Sequence, residues 1–157
     1  MTNVYTNLIT EIKTRLEAGI TANKILAKDV FVGSKQSLRK QNDLPIIIIM
    51  PRSGRSTPET PIQLTDNVEF SVVYRTNRLE DNDNVIYNDT KETGLLYQLG
   101  HLLDYLELDG ATIEMTFSGY AYNLINYNWN IDYSEETTIS LVINFTVKTD
   151  KFTRGAR

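Results

Sequence analysis

His101, the chain's only histidine, stands three residues before Asp104. A Ser/His/Asp nucleophile system would need this imidazole as its base, with its partners delivered by the fold. No G-x-S-x-G stretch accompanies it, and Ser53-Gly54-Arg55-Ser56 reads as a basic turn rather than a nucleophile elbow. His101 is therefore expected to be a surface or helix-packing residue, and the chain is not expected to be an enzyme.

The acidic run that begins at Asp81 suggests a second chemistry. Counted as a calcium loop, Asp81, Asp83, Asp89 and Glu92 fall at positions 1, 3, 9 and 12. Val85 then occupies a ligand position and Ile86 replaces the glycine that makes the sharp turn, so a solvated acidic loop is the better reading. The chain has no cysteine, which removes disulfides, thiolate zinc sites, iron–sulfur clusters and cysteine nucleophiles. No glycine-rich phosphate loop occurs either. No metal site and no cofactor are expected.

What remains is surface chemistry. Arg52 and Arg55 follow a run of four isoleucines and carry guanidinium forks suited to carboxylates or phosphates. The ladder Tyr127, Trp129, Tyr133 has the spacing of one strand face. Base stacking would call for interleaved basic residues. Asparagine and aspartate flank this ladder instead, so core or subunit contact is expected.

These residues must be positioned by a small set of elements. Val4, Leu8, Ile9, Ile12 and Leu16 form one stripe of an amphipathic helix, with Thr2 or Asn3 to start it and Gly19 to end it. "DVFVGS" reads as a brief strand. "LPIIIIM" is too short for a convincing helix, β-branched, and apolar on both alternating faces, so it reads as a buried strand. It also falls far short of the ~20 apolar residues of a membrane-spanning helix, as does every other run in the chain. "PRSGRSTPETPIQLTD", with three of the four prolines, reads as a long loop displaying Arg52 and Arg55.

Val68, Phe70, Val72 and Tyr74 alternate as a half-buried strand, and Leu95, Leu99, Leu102, Leu103 and Leu106 mark a second amphipathic helix closed by Asp109-Gly110. Ile113, Met115 and Phe117 begin the β-rich C-terminal third. The alternation then changes parity between Tyr120-Tyr122-Leu124 and Ile125-Tyr127-Trp129, which predicts a bulge or tight turn at 123–126. Ile139 to Val147 is the cleanest alternation of all.

The fold class is therefore α+β, a mixed, mostly antiparallel sheet packed by two amphipathic helices in the order α-β-β-β-α-β-β-β. A single domain is expected over 1–150, with 151–157 a loosely ordered basic tail. The formal charge of −4 argues against wholesale DNA binding. The opening residues have no basic stretch followed by an apolar run, so no secretory signal is expected.

In order and texture the chain resembles the tail-terminator (tail-completion or minor tail protein) family of long-tailed phages. The likeness rests on "NLITEIKTRL", "LPIIIIMPRSGRS", "VEFSVVYRT", "TGLLYQLGHLLDYL", "YNWNIDY" and "TTISLVINFTVKT", and covers most of the chain. The resemblance implies a non-enzymatic homo-oligomeric ring, typically a hexamer, in the neck of the virion. Such a ring caps the tail tube, ends its polymerisation and docks to the head connector or stopper protein, while DNA passes through its lumen unbound. A closed ring pairs one patch with a different one. Arg52 and Arg55, with Lys148, Lys151, Arg154 and Arg157, are expected to meet the acidic stretch of Asp81, Asp83 and Asp89 on a neighbour. A head–tail adaptor or stopper of the same neck is the alternative within this class, and a small calcium- or ligand-binding domain the alternative outside it.

Overall fold

The computed structural model describes residues 4–33, 45–58, 64–77, 94–106, 114–117, 120–135 and 137–151. Helix α1 (Val4–Thr21) leads into strands β1 (Val30–Val32), β2 (Ile46–Pro58) and β3 (Leu64–Asn77); helix α2 (Leu95–Tyr105) and strands β4 (Glu114–Phe117), β5 (Tyr120–Asp132) and β6 (Thr138–Lys151) follow. They make one six-stranded sheet in the order β1-β2-β3-β6-β5-β4. Only the β1–β2 pair is parallel among the described strands. The fold is α+β in the expected order.

Alternation decides which face each strand gives to the helices. Leu8, Ile12 and Leu16 of α1 and Leu95, Leu99 and Leu102 of α2 close over Ile47, Ile49, Val68, Phe70, Val72 and Tyr74, together with Ile139, Leu141, Ile143, Phe145 and Val147. Each such side chain contributes roughly 1.5–3 kcal/mol of burial before entropy is counted. The four isoleucines are shared between two faces. Ile47 and Ile49 join the helix-side core, whereas Ile46 and Ile48 form a second cluster with Val73, flanked by Phe31, Met50 and Val142. All four are at most 1% exposed, which is why the run shows no alternation.

The first helix ends later than its glycine suggests. Asn23, with φ of 60°, takes the left-handed position; Lys24 N donates to Gly19 O and Asn23 N to Ile20 O, both at 3.0 Å. This double closure is a Schellman cap with asparagine at the position glycine usually holds. Gly19 is instead a contact residue inside the helix. A Cβ there would collide with Ile25 Cδ1 and stand 3.1 Å from the Tyr105 ring. Gly19→Ala gains about 1 kcal/mol of helix propensity. Overpacking against the buried Ile25 costs about 1–3 kcal/mol, so a net loss of up to about 2 kcal/mol is expected in urea unfolding.

The segment between Ile25 and β1 is held by its backbone. Leu26 leaves 40% of its surface exposed, yet its N–H donates to Gln98 Oε1 at 3.1 Å and its carbonyl accepts from Tyr74 Oη at 2.6 Å. Gln98 is fully buried. Burial also pushes the Tyr74 hydroxyl well above the ordinary tyrosine pKa.

The expected long loop after the isoleucines is corrected. β2 continues through Pro58 and pairs with β3 along its length, so at most residues 59–63 connect the two. Prolines are tolerated there because β1 covers only Ile47–Ile49. From Met50 onward β2 has no outer strand among the described residues, and proline belongs on such an edge. A bulge at Arg52 breaks the register between Pro51 and Ser53.

The parity switch in β5 is a bulge too, with register lost between Leu124 and Asn126. β6 runs through Lys151, one residue into the expected tail. The proposed helix starts at Thr2 or Asn3, and the Asp109-Gly110 turn, lie outside the described residues.

Candidate functional site

On the face of the sheet turned away from the helices, polar side chains adjoin the cluster of Ile46, Ile48 and Val73 and converge on one amide. Asn144 of β6 accepts at Oδ1 from Ser71 Oγ (2.6 Å) and from Arg52 Nη1 (3.0 Å), and donates through Nδ2 to Asn128 Oδ1 at 3.0 Å. Four strands are thus tied at one level by side chains. The register explains the meeting: Met50 lies opposite Ser71, Ser71 opposite Asn144, and Asn144 opposite Asn128. Arg52, two residues beyond Met50, falls on the same face by alternation, and the bulge that follows brings Ser53 onto that face opposite Glu69.

A second polar row sits four residues along, beyond the Val73–Val142–Asn130 row. Arg75 Nε donates to Ser140 Oγ at 3.1 Å, and Ser140 lies opposite Asp132. The Asp132 carboxylate is held below the usual aspartate range, mainly by the Ser134 hydroxyl and backbone N–H and further by the Arg75 guanidinium. Together these rows, with Met50, Val73 and Val142 among them, line an open groove of about 450 Å³ that contains both guanidiniums and the Asn144 amide. At the other end Ser53 Oγ donates to Glu69 Oε2 at 3.0 Å. Asp132 within the groove and Glu69 beyond its lining accompany the two guanidiniums, so this face offers mixed charge rather than a basic track.

Arg52 and Arg55, expected on a loop, both stand on β2. Arg55 lies opposite Asn67, and Asn67 lies opposite Lys148, so the register brings Arg55 and Lys148 onto strands that flank β3 at the same level. Lys151 ends β6 opposite Leu64. Asp81, Asp83, Asp89, Arg154 and Arg157 lie outside the described residues. His101 is half-buried on α2 and meets the Tyr97 ring edge-on at 4.6 Å.

The aromatic ladder divides its two expectations. Tyr127, Trp129 and Tyr133 are 37%, 45% and 46% exposed, so they are not core. Tyr127 and Trp129 lie opposite Phe145 and Ile143 and so share the helix-side face, at its margin. Arg75, Ser140, Asn144 and Asp132 were not singled out from the sequence; their only signal was being the polar half of three alternating strands. Asn144→Ala is expected to cost about 1–3 kcal/mol, because it strands the buried Ser71 hydroxyl and the Arg52 donor together. Chemical denaturation of the two proteins measures this.

Among the described residues no group of three or more His, Cys, Asp or Glu could hold a metal ion, and no helix is long and apolar enough to cross a membrane. No protein-family model and no curated protein sequence matches the chain.

Proposed function

We propose that the protein is a structural, non-catalytic subunit of the tail-terminator kind. It forms a homo-oligomeric ring that caps a phage tail tube, ends tube growth and docks to the head connector, working in the neck of the virion after assembly in the host cytoplasm. The observation that carries the reading is the polar network on the helix-free face: beside the apolar cluster of Ile46, Ile48 and Val73, amides, hydroxyls and guanidiniums are tied across four strands into a broad, open surface. A surface built this way suits contact with a neighbouring protein. The mixed charge of the groove and the chain's net −4 also suit a lumen through which DNA slides without being gripped.

Light scattering on a sizing column, with negative-stain images of the same fractions, tests the ring. Addition to purified tail tubes then tests capping. A closed ring that seals tube ends is the expected result; a chain that neither oligomerises nor binds tubes sinks the reading. Within it, Arg52→Glu with Arg55→Glu should abolish tube capping while leaving the circular dichroism unchanged, since Arg52 is exposed and both lie on an edge strand. Capping at the wild-type level would remove these arginines from the interface.

A further inference from the structure

The two long borders of the sheet are not alike. β4 pairs only with Tyr120–Asn123, so among the described residues the outer edge of β5 from Leu124 to Asp132 has no strand beside it. Natural proteins protect such an edge with proline, lysine, a bulge or a covering element, because its free N–H and C=O groups template another strand. The β2 edge has Pro51, Pro58 and the Arg52 bulge. Along the β5 edge past its own bulge no charge and no proline occurs from Tyr120 through Ile131, no covering element stands among the described residues, and Asn126 to Asn130 are exposed on both faces.

The sequence of that edge is its own complement. Asn126-Tyr127-Asn128-Trp129-Asn130 reads nearly the same in either direction about Asn128. We propose that β5 pairs antiparallel with β5 of a second copy, across a two-fold axis at Asn128. Asn126 then faces Asn130 of the other copy, Tyr127 faces its Trp129, and Asn128 faces itself. Amides meet amides on one face of the joined sheet and aromatic rings meet aromatic rings on the other, the latter a cross-strand pair that stabilises sheets. Trp129, now 45% exposed, gains a ring neighbour, and no like charges are brought together.

The β2 edge cannot serve as the mate. Arg52 to Thr57 offers only polar residues and glycine, with nothing for Tyr127 and Trp129 to pack on. This contact is isologous, whereas a single cyclic ring closes through heterologous contacts, so the pairing does not rest on the ring reading. It joins copies in addition to any ring contact, or holds the unassembled chain as a dimer.

The chain has no cysteine and one tryptophan, which makes the test direct. The full-length protein is examined by sedimentation over a wide concentration range, following Trp129 emission. The Asn128→Cys variant is oxidised, or treated with a short bis-maleimide, beside a Glu17→Cys control on the exposed side of α1. The expected result is a species of twice 18.0 kDa, emission that moves to shorter wavelength as it forms, and crosslinking of Asn128→Cys about tenfold or more faster than the control. Asn126→Lys with Asn130→Lys, which sets lysines opposite one another, should return the protein to monomer with its thermal unfolding unchanged. A monomer at every concentration overturns the proposal. So does a ring in which Asn128→Cys crosslinks no faster than Glu17→Cys, and that outcome leaves the ring itself standing.

Discussion

Ile48→Ala is expected to destabilise the protein as severely as Ile47→Ala, each by about 2–4 kcal/mol in denaturant unfolding. In a sheet whose outer face is solvated, the two would differ sharply. The inward residue would leave a cavity, whereas the outward one would lose a little exposed surface. Here both are 0% exposed, Ile47 under the helices and Ile48 in the second cluster with Ile46 and Val73. Neither site relaxes easily, since each isoleucine is held between strand neighbours in a continuous ladder. A cost below about 0.5 kcal/mol for Ile48→Ala, the usual range for a surface change, would show that the second cluster contributes no stability.

Tyr74→Ala should be more damaging, with a loss of about 3–5 kcal/mol. Tyr74 is 1% exposed and heads the largest fully buried side chains, so truncation opens a ring-sized void beneath α2. It also removes the donor to Leu26 carbonyl. Tyr74→Phe separates the two contributions. It keeps the packing and deletes the hydrogen bond, for an expected loss of about 1–2 kcal/mol. If Tyr74→Phe were as damaging as Tyr74→Ala, the backbone clamp on Leu26 would outweigh the ring's packing.

Strand positions and faces were readable because apolar residues recur with period two, and the isoleucine run declared its two-sided burial by failing to alternate. The β5 bulge showed as a change of parity. Residues 51–58 were misjudged for a physical reason: three prolines in sixteen residues signal a loop only if the strand would be central, and β2 is an edge beyond β1. Gly19 was misjudged because glycine has two uses in a helix, and close approach to Ile25 won over termination. The convergence on Asn144 was not legible. Which polar residues of β3, β6 and β5 meet depends on register between strands far apart in sequence.

The unequal borders also determine how far edge pairing can go. Once two copies are matched through β5, the joined sheet ends on both sides in the three-residue β1 and the proline-bearing stretch of β2. Pro51 and Pro58 have no N–H to offer, and the bulge twists the strand out of line with an incoming one. Strand addition is therefore self-limiting: it stops at two copies, and a chain with an open edge is spared growth into fibres.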